Sequence, residues 1–282
     1  GKEGAASPGG RLPRRWDLQR LWHANGSDLV ASILRRRSAV KLAREGAALP
    51  WAAWVRLLGV LCSRPAPLAG GVHLLLMVHK VEGVAPGLYL LVRGTHDAEP
   101  LRRFARGATW ASAAVADEEP SGLAAEDCRL VALAAPADAR DAAQLSACNQ
   151  EIAGDGAFAA AFLGRFRGWA HPRRYPELLW EAGALGQALY LAAAAAGQGA
   201  TGIGCFFDDF ALSLVRDAAG ADPGSAAAQS FDAADAEFQV LYHFAVGTPE
   251  QDPRLLSFEP YHHLSEDYEY EPMQGGVGRI WR

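Results

Sequence analysis

Two short stretches carry residue types that could do chemistry. The first is Arg35-Arg36-Arg37-Ser38. A guanidinium fork grips phosphate or carboxylate oxygens bidentately, so this run reads as an anion site. Three consecutive arginines cannot share one face of a helix, so at most two point at one ligand. Cations closing a helix also complement its dipole, and spacing alone leaves both readings open. The second stretch is Thr201–Gly204, where two glycines leave backbone N–H groups bare. Such a loop accepts a flat or anionic ligand because no Cβ intervenes; it also reads as a plain helix cap and turn. Gly197-Gln-Gly199-Ala-Thr-Gly202 matches the dinucleotide fingerprint letter for letter. That fingerprint needs a strand before it and a helix after it, and here a helix precedes it, so a Rossmann site is rejected.

Stepping outward from those stretches, the element that must deliver the glycine loop is a long helix over Arg173–Ala196. Apolar residues recur at helical spacing at Leu178, Leu179, Ala182, Leu185, Leu189, Ala192 and Ala193. Pro176 stands near its start and Gly197 and Gly199 past its end, as start and stop signals do. Ser27 or Asp28 caps an earlier helix whose Leu29, Val30, Ile33 and Leu34 are expected to face inward, and which ends in the arginine run. Helices are also expected at Trp16–His23, Pro50–Cys62, Glu99–Arg106 and, as one long alanine-rich helix, Asp138–Phe166. Strands are expected at Val72–Val81, Gly87–Arg93, Cys128–Ala135 and Phe238–Gly247, the first two as a hairpin-like pair. Ala111–Glu126 reads as a surface loop and Ala218–Asp235 as a mobile segment. The order of elements gives an α+β fold, with a small, mostly antiparallel mixed sheet around a central buried helix.

Composition narrows the function classes. The 282 residues are half hydrophobic, enough for a sizeable core, and the net charge of −5 offers no global field for nucleic acid or anionic membrane. No charge-free apolar run reaches bilayer length. Cys62, Cys128, Cys148 and Cys205 are scattered, with no C-x-x-C pair and no His at metal spacing. That pattern argues against a disulfide framework and a zinc site, and for the cytoplasm or another reducing soluble compartment. His73 and His79 alternate with apolar neighbours and read as structural. No catalytic acid or base can be assigned. Residues 1–15 read as a disordered lead, 16–256 as one domain, and the aromatic, acidic stretch 257–282 as a tail that packs on a partner subunit. The start at Gly1, without an initiator Met, reads as processed or truncated.

Five segments in order give the chain a resemblance to a known family. They are Arg35-Arg36-Arg37-Ser38-Ala-Val, HKVEGVAPGLYLL at 79–91, LSACNQEIAGDGAF at 145–158, the stretch 178–209, and LYHFAVGTPEQDPRL at 241–255. Together they resemble the nitroreductase family of flavoproteins, and within it the SagB/ThcOx-type dehydrogenases. The resemblance implies a three-layer fold that binds FMN, works as a homodimer, and moves hydride through flavin N5 to or from a small-molecule or peptide substrate, with NAD(P)H as one electron donor. It assigns Arg36, Arg37 and Ser38 to the FMN phosphate and ribityl chain, Gly202, Ile203 and Gly204 to the reactive side of the ring, and Arg254 to the phosphate; Gly70 and Gly71 are weaker candidates beside the ring. A flavin that takes up two electrons gathers negative charge at N1 and O2, so nearby cations and N–H groups favour reduction.

Some residues depart from the family pattern. Lys41-Leu42-Ala43 lacks the aromatic that usually follows the arginine-serine element. Arg173-Arg174-Tyr175 stands where azoline-oxidising SagB enzymes carry a Lys-Tyr pair, which lowers the case for that reaction. Similar sequences also form one half of tandem proteins. The alternative reading is a flavin-free relative serving as a binding or structural subunit.

Overall fold

The computed structural model describes residues 29–62, 71–94, 97–105, 108, 128–133, 138–166, 171–216, 237–252, 258 and 261–264. Helices α1 (Leu29–Arg35) and α2 (Trp51–Cys62) lead into strands β1 (Val72–Val78) and β2 (Gly87–Arg93). Then come α3 (Ala98–Phe104), β3 (Cys128–Ala132), α4 (Ala139–Ser146), α5 (Glu151–Asp155) and β4 (Phe158–Arg165). The long helix α6 (Arg174–Ala195), β5 (Gly199–Ile203), α7 (Asp208–Arg216) and β6 (Phe238–Gly247) follow, and a 3-10 turn at His262–Leu264 is the last described element. The six strands form one sheet in the order β3-β2-β1-β4-β6-β5, and every pairing of these strands is antiparallel.

The sheet is covered on both faces, because its strands alternate between two apolar layers. In β4, Phe158, Ala160 and Phe162 join α2 and α6 in one layer. Ala159, Ala161 and Leu163 join α3, α4 and α7 in the other. This is the expected α+β, three-layer arrangement. The alternation is interrupted once, where the register between β4 and β6 shifts at Phe162/Leu163 and leaves Leu241 as the extra residue.

The expected long helix over Asp138–Phe166 is not there. Cys148 and Asn149 have positive φ (54° and 59°), which stops α4. The segment Phe158–Arg165 is a strand between β1 and β6. Alanine favours helix locally, but here two neighbouring strands and two apolar layers supply more than local propensity does. The glycine loop is likewise partly a strand: Gly199–Ile203 is the edge strand β5. The inward face expected of α1 also differs, since Val30, Ile33 and Leu34 are exposed.

In α6 the buried face is Leu178, Glu181, Ala182, Leu185, Gly186, Leu189, Ala192 and Ala193, while Leu179 lies outside it. This helix is long and apolar enough by composition to cross a membrane; here it packs between α2 and the sheet. The expectations for Trp16–His23, Ala111–Glu126 and Ala218–Asp235 fall outside the described residues.

All four cysteines are paired, which corrects the expectation of free thiols. Cys62 bridges Cys128 and Cys148 bridges Cys205, each with Cα atoms 5.8 Å apart. Partners 66 and 57 residues apart leave no motif in the sequence. The cysteine-based case for a reducing compartment therefore falls.

Candidate functional site

The site forms where the chain after the arginine run lies along the sheet edge. The Ala39 N–H donates to Ala200 O (2.8 Å) and the Ala43 N–H to Thr248 O (2.9 Å), while Leu42 bridges Pro249. Leu42 is fully buried against the bare Cα atoms of Gly156 and Gly199. These bonds hold Arg36 and Ser38 next to β5.

Three expected site residues converge on Tyr190, in the last third of α6. Its hydroxyl accepts the Gly202 N–H (2.7 Å) and pairs with the Ser38 hydroxyl (2.9 Å). The Arg36 guanidinium lies over its ring, 4.3 Å from the centroid. Phe244 packs edge-on against that ring, with centroids 4.7 Å apart. Arg36 Nη1 is buried and has no hydrogen-bond partner among the described residues. Arg36 and Ser38 thus share Tyr190 as a contact, and a guanidinium N–H and a serine hydroxyl are donor types suited to an anion.

The glycines divide the space. Beside Gly204 no atom of the described residues lies within 4 Å of where a Cβ would stand, so that face is open among them. At Gly202 the Tyr242 hydroxyl takes the position a Cβ would fill, so any other residue there would force the Tyr242 side chain to move. Burial, and then Tyr190, push the Tyr242 phenol up, so it stays neutral. Ile203 is buried in the core. The loop past Gly204 is clamped: Cys205 is bonded to Cys148, its carbonyl accepts from Gln150 Nε2 (3.2 Å), and the Phe207 N–H donates to Ser146 O (2.8 Å). Phe206 stacks on the buried His243, with ring centroids 4.9 Å apart.

Other expected residues lie elsewhere. Arg37 donates to the carbonyls of Leu34, Arg36 and Phe258, away from Tyr190. Gly71 is at the other end of α6, where the Arg174 guanidinium fills its missing side chain. From Arg174 to Tyr190 is 16 residues, about 24 Å of helix. Tyr175 is there too, packed against Phe166. Gly70 and Arg254 fall outside the described residues.

That far end of α6 is organised by a buried ion pair the sequence reading missed. Arg93 Nη1 donates to Glu181 Oε1 (2.7 Å) and to Val72 O (2.7 Å), and Arg93 Nε donates to Leu61 O. Glu181 also accepts the N–H groups of Gly71 (3.0 Å) and Val72 (3.4 Å). The two side chains are 1% and 3% exposed. The signal was present, since Glu181 is the one charge on the apolar stripe of α6. Removing one member of such a pair leaves the other charge uncompensated, so Glu181→Ala is expected to cost about 3–5 kcal/mol in denaturant unfolding. Glu181→Gln, which keeps an acceptor, should cost less. A loss below about 1 kcal/mol for the alanine variant would mean the pair does not hold this end of the fold.

A profile of the nitroreductase family matches residues 89–231, just over half of the chain. Among solved structures, a provisionally assigned nitroreductase from Anabaena variabilis ATCC 29413 aligns over 86% of this chain and 41% of its own, at 20% identity and a TM-score of 0.55. The chain thus spans about two-fifths of that protein's length. A second provisionally assigned nitroreductase, from Ralstonia eutropha JMP134, aligns over 88% of this chain and 94% of its own, at 15% identity and a TM-score of 0.51. At these identities the two structures speak to the fold. No curated protein matched.

Proposed function

The chain belongs to the nitroreductase family, and from that premise we propose that it is an FMN-dependent oxidoreductase acting on a small or peptide-borne substrate, with NAD(P)H as one source of electrons. The observation that carries this reading is the buried Arg36 Nη1, unpartnered among the described residues, which shares Tyr190 with Ser38 at the edge strand that leads into Gly204. The profile match does not include Arg36 or Ser38, so their part rests on geometry.

Arg36 and Ser38 would hold the phosphate, with Arg254 as a third group, and the open backbone at Gly204 would lie along the ring. Bound FMN supplies hydride acceptance and donation at N5. The protein's own work is to bind, to orient and to keep water from the flat face. The cysteine and hydrogen-bond clamp on residues 205–207 fixes the backbone for that work. The exposed Val30, Ile33 and Leu34 on α1 and Trp180 on α6 support a homodimer whose second copy covers them. Within the family the SagB/ThcOx type is the branch we favour, on the arginine-serine element and the Gly202-Ile203-Gly204 loop.

A specific observation favours a second reading. The Gly202 N–H and its open side are already taken by Tyr190 and Tyr242, as they would be in a relative that has lost flavin.

Purified protein should show flavin absorbance, or gain it on adding FMN. Protein that stays colourless with added FMN selects the flavin-free reading. Arg36→Ala should weaken FMN retention at unchanged fold by roughly 1.5–3 kcal/mol, one to two decades in Kd. The check is titration followed by flavin fluorescence, and an unchanged Kd would place the phosphate elsewhere.

A further inference from the structure

We infer that Tyr190 is a positioning residue for anion binding at this site, setting the Ser38 hydroxyl as a donor and holding the Arg36 guanidinium beside it. The inference rests on the FMN reading and deepens it, by naming what prepares the phosphate end.

The direction of the hydrogen bonds follows from their members. The Gly202 N–H can only donate, so Tyr190 Oη accepts there (2.7 Å). The phenol is the more acidic of the two hydroxyls, so its own proton goes to Ser38 Oγ, 2.9 Å away. Ser38 Oγ, used as an acceptor, keeps its proton free, and the residue is exposed. The chain runs Gly202 N–H to Tyr190 O–H to Ser38 O–H and outward, each bond polarising the next. An outward hydroxyl proton suits an oxyanion.

The ring of the same residue orients the second donor. Arg36 lies over its face while Nη1 is without a partner among the described residues. Phe244 also packs against the ring, in a T-shaped contact. One side chain on α6 thus joins the arginine-serine element to the edge strand, across 152 and 12 residues of sequence.

Tyr190→Phe tests this, because it keeps the ring, its packing and its place under Arg36 while removing the relay oxygen. FMN affinity should fall about tenfold, with a melting temperature within a few degrees of wild type. A structural role would not give the second signature, which is non-additivity: Ser38→Ala and the double variant Ser38→Ala/Tyr190→Phe should each bind FMN about as weakly as Tyr190→Phe alone. Inorganic phosphate should compete with FMN more weakly in all three variants. If wild type binds FMN and Tyr190→Phe binds it equally well, or if the two losses multiply, this inference is overturned and the FMN reading stands. If wild type binds no FMN, both fall together.

Discussion

Between pH 7.5 and pH 5 the protein should lose about 6 kcal/mol of stability through its histidines, above the pH at which most carboxylates titrate. Three buried histidines carry the loss. His73 is pushed down to about 3, first by burial and then by the nearby Arg93 and Arg174. His79 is pushed down to about 4, again mainly by burial, with its hydrogen bond to the Gly156 carbonyl opposing the shift. His243 is held at about 4 by burial alone. All three are therefore neutral in the folded protein at pH 5, while the unfolded chain takes up protons below about 6.5. Where the unfolded state binds more protons, stability falls as pH falls. The full stability is present above 6.5 and is lost progressively down to the folded values, near 4 and 3.

At pH 5 each histidine accounts for about 2 kcal/mol. Urea unfolding at pH 7.5, 6, 5.5 and 5 checks this, since ordinary carboxylates contribute little in that window. His243→Phe, which keeps a ring against Phe206, should remove about a third of the slope. A stability that stays flat from pH 7.5 to 5 would mean these rings are solvated or charged in the native state.

Those histidines also mark how far the sequence could be read. The alternation of His73 and His79 with apolar neighbours pointed to structural roles, and the folded chain buries both as that reading expects. The long apolar helix, the hairpin and the last strand were legible because their periodicity matches what they bury. The strand Phe158–Arg165 was not, because its alanines carry a helical preference and only the two apolar layers around it make it a strand. Site chemistry divided in the same way. Arginine, serine and glycine types announced Arg36, Ser38 and Gly202, each within a local motif. Tyr190 had no motif, since its importance comes from meeting Ser38 across 152 residues. Glu181 could have been found, as a carboxylate inside an apolar stripe requires a partner. The cysteine pairs could not, because no local pattern encodes a contact between residues so far apart.

Breaking those cysteine pairs is the second large effect we expect. Each bond closes a long loop, with partners 66 and 57 residues apart. In the chain-entropy picture a loop of that size adds about 4 kcal/mol by restricting the unfolded chain. A domain of this size shifts its melting temperature by roughly 2–4 °C per kcal/mol, so each bond corresponds to about 10 °C. Thermal unfolding with and without a dithiol reductant should therefore differ by roughly 20 °C. Cys62→Ser with Cys128→Ser, and Cys148→Ser with Cys205→Ser, should each give about half of that shift. The two pairs should also differ in where they act. Cys62–Cys128 ties the end of α2 to the edge strand β3, so its loss should loosen that side of the sheet. Cys148–Cys205 ties the α4 turn to the residue after Gly204, so its loss should speed amide exchange at 204–207 more than in β1 or β4, which lie in the middle of the sheet. Mass analysis of unreduced protein showing four free thiols, or equal melting temperatures with and without reductant, would overturn this. An unaltered exchange rate at 204–207 in the second variant would show instead that the Gln150 and Ser146 hydrogen bonds suffice to hold the loop.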